Sequence, residues 1–441
     1  MEKEINYLEK INLIKDDFIK ALSDFIKIPS VLEEDLNNSE APFGKGIRDS
    51  LDYILNLAKS FGFKTRNIDN VCGEVEYGEG DKILGVLCHV DVVPAEGKWT
   101  YPPFSAQIVG DTMYGRGTID DKGPAIASLF ALKLLKDNGI VPKWKIRLIF
   151  GCDEETQMRG VAHYLKKEAE PDFAISPDAQ FPLIYGEKGI ASIDIIGKNN
   201  DSNLKFVKGG KRYNIVCDKV NANYNNKDYE FIGVPAHAME PDAGVNAILK
   251  MASEFKDSTN ELIKFINLYL RNSRLKDMGL DVYDEEMKDL TANLAIIDID
   301  ENHSRLGINF RYPLLSEMKH LYEVFNAKAK ELNLEVKILS DTPPHYVSPN
   351  EKELKILHDA YIKYTSDTKT PLLTIGGGTY ARVMKKAVAF GTIFPWEKDL
   401  CHQADERISI SGMMTSCAII SLAMENLTKE WDFVGLKELR I

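Results

Sequence analysis

The sequence predicts an α/β protein with an inserted α+β domain, and three features of the chain support this prediction. Short apolar runs alternate with amphipathic stretches up to about residue 175, which is typical of a mixed, mostly parallel sheet flanked by helices. Asn, Lys and Gly become frequent from about residue 190, and α/β material returns towards the end. A chain of 441 residues also exceeds the size of one hydrophobic core. We therefore expect a main domain formed by residues 1–187 and 347–441, with residues 188–346 inserted as a separate domain.

The first part of the main domain contains the clearest elements. An amphipathic helix begins the chain, and a run rich in Leu and Val at 82–90 predicts a buried strand. A helix is expected at 123–137, because Pro124 lies near its first turn and Gly139 lies just past its end. Strands at 145–150 and 172–175 and a helix at 160–168 are expected to follow.

The inserted segment and the end of the chain are interpreted in the same way. Strands are predicted at 190–196, 292–300 and 304–309, and helices at 245–255, 259–270 and 317–333. The last part is predicted to contain a helix near 351–365, a glycine-rich turn at 376–378 and a final helix from 412 to about 428.

Composition narrows the class of protein. The formal charge of −12 and the lack of any Lys- and Arg-rich run argue against a nucleic-acid partner. No stretch approaches eighteen consecutive apolar residues, so no membrane span is expected. The N-terminal helix carries charges throughout and does not resemble a signal peptide. Six cysteines without a framework spacing predict reduced core thiols, and we expect a cytoplasmic protein.

Polar side chains cluster where the predicted strands of the main domain end. Each group has an ordinary explanation by itself, because acidic residues favour helix N-termini, an Asp pair can cap a helix, and a single histidine is more often structural. Together, however, they recur at the carboxyl ends of parallel strands, where ligands bind in α/β proteins. The residues concerned are His89, Asp91, Asp120, Asp121, Asp153, Glu154, Glu155 and Asp178.

Such a set of carboxylates predicts a metal site. Several carboxylates cannot share one pocket in ionised form without cations, since like charges at short range raise one another's pKa. Carboxylates and imidazoles without a thiolate motif suit zinc, manganese or cobalt. More than four ligands of this kind are too many for one tetrahedral ion with an open position. They suit two ions bridged by one carboxylate, which can polarise a carbonyl and ionise a bridging water.

Several motifs carry a resemblance to a known family. CHVDVVPAEGKWTYPPFSAQIVGDTMYGRGTIDDKGPAIASLFAL at 88–132, IFGCDEETQMRG, ISPDAQFPLIYGEKG and the distant His402 closely resemble the di-zinc exopeptidases. That family includes carnosinase, the aminoacylases, succinyl-diaminopimelate desuccinylase and bacterial dipeptidase V; GGGTYAR and the inserted segment look most like the dipeptidase V branch. The resemblance implies a zinc-dependent metallopeptidase that hydrolyses dipeptides, with the insertion acting as a lid. The alternative is an amide hydrolase of the same fold acting on N-acyl amino acids, such as an aminoacylase or a desuccinylase.

The resemblance also implies the metal ligands. Two divalent ions, Zn²⁺ with Mn²⁺ or Co²⁺ as alternatives, are expected to share Asp120 as a bridge. His89 and Asp178 would complete one site, while Glu155 and His402 would complete the other.

Three residues are assigned catalytic roles by the same resemblance. Glu154 would be the general base that takes a proton from the metal-bridging water and later gives it to the leaving amine. Asp91 would hydrogen-bond the imidazole of His89 and fix its tautomer. His237, in PAHAMEPDAG, would donate to the developing oxyanion.

The inserted domain and the glycine-rich turn are expected to bind the substrate. Arg311 would hold the C-terminal carboxylate of a dipeptide with its planar fork, and Asn214 would position the substrate. Backbone N–H groups of Gly377, Gly378 and Thr379 would offer further donors to that carboxylate, as anion-binding nests do. A cap or an interdomain salt link is the ordinary alternative for Arg311.

The chain departs from the dipeptidase V pattern in its lid. The segment between Asn214 and His237 is short, and positions 216–217 read Val-Cys where the family has Val-Pro. We expect a monomer, because an insertion of about 160 residues exceeds what a minimal dimerising lid needs. A dimer is the alternative, since in relatives with a short lid the partner subunit supplies the oxyanion histidine. Two other classes of protein are disfavoured by the sequence. An inactive binding module would lack a metal ligand or the general base, and this chain retains all of them. A nucleotide-binding protein would carry GxGxxG or GxxxxGK[ST] after the first strand, and this chain carries neither motif there.

Overall fold

The structure, a computed structural model, describes residues 5–429 of the chain and divides them into two units. Unit 1 consists of the residues up to Tyr185, Val347–Leu373 and the residues from Thr379 onwards. Unit 2 consists of Gly186–Tyr346 and Thr374–Gly378. Both units contain helices and strands, which confirms the predicted α/β class with an α+β insertion.

The first part of unit 1 alternates helices and strands. Its elements are α1 (Tyr7–Leu13), α2 (Lys15–Ile26), α3 (Lys45–Ser60), β1 (Lys64–Ile68), β2 (Cys72–Tyr77), β3 (Ile83–His89), β4 (Gln107–Val109), β5 (Thr112–Tyr114), α4 (Lys122–Asp137), β6 (Lys145–Gly151), α5 (Arg159–Lys167), β7 (Phe173–Ser176), β8 (Ala179–Gln180) and β9 (Ile184–Glu187). The predicted N-terminal helix is divided in two, because Ile14 leaves the helical conformation with φ −119° and ψ 26°.

Unit 2 is followed by the return of the chain to unit 1. The elements of unit 2 are β10 (Gly189–Gly197), β11 (Leu204–Gly209), β12 (Lys219–Tyr224), β13 (Lys227–Ile232), α6 (Ala247–Glu254), α7 (Glu261–Tyr269), β14 (Tyr283–Asp284), β15 (Lys288–Asp289), β16 (Thr291–Ile299), β17 (Ser304–Tyr312), α8 (Met318–Glu331), β18 (Glu335–Thr342) and β19 (His345–Tyr346). The last elements are α9 (Lys352–Thr365), β20 (Leu373–Ile375), β21 (Ala387–Ala389), β22 (Thr392–Ile393), β23 (Arg407–Ser409) and α10 (Ile410–Leu427). Short 3₁₀ helices lie at Pro241–Ala243, Lys276–Met278 and Tyr380–Val383.

The main sheet of unit 1 has parallel strands at its centre. β3 lies between β6 and β7 and is parallel to both, and β21 is parallel to β7. β2 pairs antiparallel with β6, and β1 pairs antiparallel with β2, so the sheet is mixed. The register places His89 beside Gly151, at the carboxyl ends of β3 and β6. The segments that follow these strands therefore leave the sheet at the same edge.

Helices cover both faces of this sheet, as predicted. Every residue of β3 is buried, and its side chains are divided between two apolar clusters. Leu84, Val86 and Cys88 belong to the larger cluster, which includes residues of α1 to α4, α9 and α10. Leu87 belongs to the smaller cluster, which includes Tyr164 of α5. This burial on both faces explains why the strand is a continuous apolar run.

Helix α10 is the most apolar helix of unit 1. It is long and apolar enough to cross a membrane, although the sequence alone suggested no such stretch. In the structure 72% of it is buried, and it packs against α4 and α9. Burial of this kind is typical of a core helix that is apolar all round.

The sheet of unit 2 is antiparallel, with strand order β13-β12-β11-β16-β17-β10-β18. Helices α6, α7 and α8 pack against it and form one apolar core. The hairpin of β12 and β13 was not predicted from the sequence. It turns at Asn225 and Asn226, whose φ angles of 53° and 59° suit the two-residue turns that connect tightly paired strands.

Candidate functional site

The polar residues singled out in the sequence converge at the carboxyl edge of the unit 1 sheet. His89 ends β3, the Asp153–Glu155 stretch follows β6, and Asp178 follows β7. Asp120 lies two residues before the start of α4, and His402 lies in the loop between β22 and β23. All of these positions belong to unit 1.

Asp120 lies between two imidazoles. Its Oδ1 is 2.9 Å from Nε2 of His89, and its Oδ2 is 2.9 Å from Nε2 of His402. Each imidazole also faces a second carboxylate. Nε2 of His89 is 3.5 Å from Oδ2 of Asp178, and Nε2 of His402 is 3.1 Å from Oε2 of Glu155. The arrangement is thus one central carboxylate with an imidazole and a further carboxylate on each side.

The donor atoms of this cluster fit divalent metal ions. His89, Asp120 and Glu155 place ligand atoms within 4.8 Å of one another, and so do His89, Glu154 and Asp178. Three of these atoms are buried without a hydrogen-bond partner of acceptable geometry among the described residues: Nε2 of His89, Oδ1 of Asp120 and Oε1 of Glu155. Buried polar atoms of this kind are costly unless something binds them. A separation of 2.9 Å between Nε2 of His89 and Oδ1 of Asp120 suits two ligands directed at a shared ion.

Burial and the short distances between like charges shift the pKa values of this cluster. Burial raises the pKa of Glu154 well above its usual range, and it raises the pKa of Glu155 to about 7 with a contribution from the neighbouring Asp120. The pKa of Asp178 is also raised by burial and by Asp120. Hydrogen bonds to Asp120 and Glu155 raise the pKa of His402 to about 11. In these carboxylates desolvation and like charges oppose ionisation, and bound cations would offset both effects.

Asp91 contacts both the imidazole of His89 and the backbone of the acidic segment after β6. The Nδ1 atom of His89 lies 2.9 Å from the backbone carbonyl oxygen of Asp91, and 3.5 Å from its carboxylate oxygen Oδ1. That carboxylate accepts hydrogen bonds from the backbone N–H groups of Glu154, at 3.2 Å, and of Glu155, at 3.1 Å. Asp91 therefore connects the end of β3 to the acidic segment after β6, a contact that the sequence did not reveal.

Asp121 does not cap the helix that it precedes. It occupies the N-cap position of α4 but makes no capping hydrogen bond with its side chain. Its Oδ2 atom instead accepts a hydrogen bond from the backbone N–H of His89, at 2.8 Å. The capping explanation for the Asp120–Asp121 pair is therefore wrong for Asp121, which holds the end of β3 beside the start of α4.

Sequence reasoning missed three buried groups around the cluster. Glu406 and Arg116 form a buried ion pair next to the Asp120 loop, with 2.5 Å between Oε2 and Nη1. Tyr380 is fully buried, and its ring meets the imidazole of His89 edge to face at 6.0 Å between centroids. Arg116 lies within the motif at 88–132 and Tyr380 lies within GGGTYAR, whereas no motif of the sequence contains Glu406.

In unit 2, His237 and Asn214 lie on neighbouring segments. Residues Ile215 and His237 form an isolated antiparallel bridge, and the N–H of Ala238 donates to the carbonyl oxygen of Asn214 at 2.9 Å. The His237 side chain is exposed, and its Nδ1 accepts a hydrogen bond from the N–H of Met239 at 3.2 Å. A nitrogen that accepts cannot carry the proton, so in the neutral ring the proton lies on Nε2.

Arg311 lies on β17 and is 4% exposed. Its Nη1 donates to the carbonyl oxygen of Gly376 at 2.8 Å, and its Nε donates to Oδ1 of Asn309 at 2.9 Å. A side chain added at Gly376 would come within 2.8 Å of Cβ of Met239. Unit 2 thus brings together Arg311, the start of the glycine-rich turn and the segment that carries His237.

The remaining predicted substrate residues continue this turn. Gly377 is partly buried and Gly378 is exposed, both in unit 2. Thr379 belongs to unit 1, where its hydroxyl accepts a hydrogen bond from the N–H of Ala381 at 3.1 Å and caps a short 3₁₀ helix.

The comparison with protein families decides the classification. Residues 85–426 match the profile of peptidase family M20/M25/M40. The chain belongs to this family. The match covers the strands, loops and helices that carry the cluster around Asp120, as well as all of unit 2. The exopeptidase resemblance seen in the sequence is therefore confirmed, and the chain is a peptidase of the M20/M25/M40 family.

Individual relatives match over almost their whole length. The protein named "Putative dipeptidase YtjP" of Bacillus subtilis (strain 168) is 36% identical over an alignment length of 471, and the alignment covers 97% of this chain and 100% of that protein. The structure of human carnosine dipeptidase 1 has a TM-score of 0.66 at 12% identity, covering 96% of this chain and 98% of that chain. The YXEP protein of Bacillus subtilis, described as a dinuclear metal binding peptidase, has a TM-score of 0.55 at 10% identity, covering 95% of this chain and 99% of that chain. These structural likenesses show that this M20 family peptidase shares the fold.

Proposed function

We propose that this M20 family peptidase is a dipeptidase that uses two divalent metal ions. The observation that carries the proposal is the position of Asp120, whose two carboxylate oxygens each lie 2.9 Å from a different imidazole. The relative that is 36% identical carries the name "Putative dipeptidase YtjP", and the YXEP protein, which shares the fold, is described as a dinuclear metal binding peptidase.

The ions would be held by the five residues that surround this carboxylate. Asp120 would bridge them, His89 and Asp178 would complete one site, and Glu155 and His402 would complete the other. Imidazole and carboxylate ligands favour Zn²⁺, with Mn²⁺ and Co²⁺ as alternatives. Bound ions of this type polarise a substrate carbonyl and lower the pKa of water.

Glu154 would move the proton. Its carboxylate is close to the ligand atoms of His89 and Asp178. The next residue in the chain, Glu155, faces His402. We assign Glu154 as the general base, which takes a proton from the attacking water at its carboxylate and passes it to the leaving amine. Asp91, which binds the backbone N–H groups of Glu154 and Glu155, would keep the two carboxylates in these separate orientations.

The unit 2 residues would recognise the substrate. His237 keeps its proton on Nε2, because Nδ1 accepts from Met239, and so it presents a donor suited to a developing oxyanion. Arg311 is buried with its guanidinium directed at the glycine-rich turn, where Gly377, Gly378 and Thr379 would add backbone donors for the C-terminal carboxylate of a dipeptide. Asn214, joined to the His237 segment, would position the peptide.

We also propose that the enzyme is a cytoplasmic monomer. All six cysteines are free thiols, which suits a reducing compartment.

An assay of the purified enzyme against a panel of substrates tests the proposed function. The panel would contain dipeptides, tripeptides, dipeptide amides, and N-acetyl and N-succinyl amino acids. Hydrolysis of dipeptides well above all other compounds is expected. Preference for the N-acyl amino acids would instead favour an aminoacylase or a desuccinylase, and no hydrolysis of any member would reject the proposal.

A further inference from the structure

Glu406 is a fully buried carboxylate beside the loop that carries Asp120. Its Oε1 atom accepts three backbone hydrogen bonds, from the N–H groups of Gly117 at 3.0 Å, Ile119 at 2.8 Å and Asp120 at 3.3 Å. The last of these donors is the backbone N–H of Asp120, the residue whose carboxylate lies at the centre of the cluster. One side chain therefore fixes the conformation of the loop that leads into Asp120.

The charge of Glu406 is balanced by an equally buried cation. Nη1 of Arg116 donates to Oε2 at 2.5 Å, and Nη2 of Arg116 donates to the carbonyl oxygen of Pro94 at 3.3 Å. The guanidinium also lies over the ring of Trp99, at 5.2 Å from its centroid. A buried pair with this many partners is costly to break, because the remaining charge would be left unpaired.

Glu406 is also close in the chain to His402, on the other side of Asp120. Glu406 lies four positions after His402, and its own carbonyl oxygen accepts from the N–H of Gly115 at 2.9 Å. The strand that follows, β23, pairs antiparallel with β5, just before the Asp120 loop. Glu406 thus binds the Asp120 loop from within the turn that carries His402.

We propose that Glu406 is a positioning residue that holds Asp120 and His402 at the separation needed to share a metal ion, with Arg116 as its counterion. This inference rests on the proposed metal centre. Nε2 of His402 and Oδ2 of Asp120 are 2.9 Å apart, although the two residues are 282 positions apart in the chain. The Glu406 contacts join the two segments directly beside that pair. Groups that orient metal ligands typically change metal affinity by 10- to 100-fold when they are removed.

Titration of the metal-free chain with Zn²⁺ by calorimetry tests the inference, with Glu406→Gln as the test variant. The glutamine oxygen can still accept from the loop, but its amide group would face Arg116 as a second donor. Glu74→Gln is the matched control. Glu74 is 1% exposed and bound to Arg66 at 2.8 Å, yet its hydrogen bonds and ion pairs, which go to Arg66, Arg147 and Tyr164, lie outside the cluster.

Glu406→Gln is expected to weaken Zn²⁺ binding by about 10- to 100-fold, while Glu74→Gln destabilises the fold but keeps the affinity of the wild type. Wild-type affinity in Glu406→Gln, or an equal loss in Glu74→Gln, would overturn the inference. If Glu406→Gln does not fold, Arg116→Lys replaces it, and an unchanged affinity in that variant would also overturn the inference. A wild-type chain that binds no Zn²⁺ would reject the metal centre itself, and this inference with it.

Discussion

Two adjacent glutamates at the end of β6 have different surroundings. Glu155 faces His402 at 3.1 Å, whereas the carboxylate of Glu154 is grouped with His89 and Asp178. Both have their backbone N–H groups bound by Asp91. Both glutamates also place a carboxylate oxygen within 4.8 Å of a ring nitrogen of His89, so the proposed roles, metal ligand for Glu155 and general base for Glu154, have to be separated by substitution.

Substitution of each glutamate separates these roles. Glu154→Gln is expected to lower kcat by about 10²- to 10⁴-fold, the usual effect of losing a general base, while still binding two metal ions. Glu155→Gln, its neighbour and matched control, is expected to lose metal. Steady-state kinetics together with metal analysis of each purified variant would show this. Loss of one metal equivalent in Glu154→Gln would make Glu154 a ligand instead.

The guanidinium of Arg311, the residue proposed to hold the substrate carboxylate, is held in place from two sides. Asn309 binds Nε, and the carbonyl oxygen of Gly376 binds Nη1. Arg311→Lys keeps the charge but loses both contacts, so KM for dipeptides should rise roughly tenfold or more with a smaller change in kcat. Arg305→Lys on the same strand is the control, because Arg305 binds Asp194 and Tyr213. Equal KM values for the two variants would argue against a carboxylate-binding role.

The sequence revealed part of the cluster at this scale. His89, the acidic segment 153–155 and Asp178 could be grouped because each ends or follows an apolar run, and strand ends of a parallel sheet meet at one edge. Asp120 could be added because it lies in the loop that opens the helix between two of these strands. His402 entered only through the family resemblance, since no strand precedes it directly. The pairing of Arg116 with Glu406 could not be found, because an ion pair between residues 290 positions apart leaves no local pattern.

At the level of elements, the start of helix α7 in unit 2 depends on a buried cap. The Oδ1 atom of Asn260 accepts from the N–H groups of Leu262 and Ile263 at the start of α7, at 3.0 and 3.2 Å. Its Nδ2 donates to Asn199 and Ser304. Asn260 is fully buried, so it cannot exchange these partners for water.

Asn260→Ala should therefore lower the free energy of unfolding by more than the loss of an exposed cap does. A cap is worth about 1 kcal/mol, and buried groups left without partners add about 1–3 kcal/mol. Asn6→Ala, which removes the exposed cap of α1, is the control and should cost no more than about 1 kcal/mol. Urea unfolding measures both variants. Equal losses of the free energy of unfolding would contradict the importance of burial at Asn260.

Elements buried on both faces were predicted well, whereas half-exposed strands were not. β3, β6 and β7 are continuous apolar runs and lie close to their predicted positions. In β12 and β13, exposed or partly exposed residues outnumber buried ones, so the polar sequence of this hairpin gives no apolar run. Its signal was the Asn225–Asn226 turn, where asparagine tolerates a positive φ.

For the whole molecule, the question is which chain supplies the imidazole of His237 to a given metal centre. The monomer proposal predicts that both halves of the machinery come from the same chain. Mixing His237→Ala with Glu154→Ala chains, each inactive alone, should then give no activity. Recovery of hydrolysis in the mixture, with each variant alone as the control, would show that one chain supplies its histidine to another and that the active form is a dimer.

The most direct test of the account is a titration of the metal-free enzyme with Zn²⁺ while the hydrolysis of a dipeptide is followed. The cluster around Asp120 predicts no hydrolysis without metal, a rate that rises with added Zn²⁺, and a plateau at two ions per chain. Mn²⁺ and Co²⁺ should also restore activity. Full dipeptide hydrolysis by a chain shown to contain no metal would contradict the proposed function.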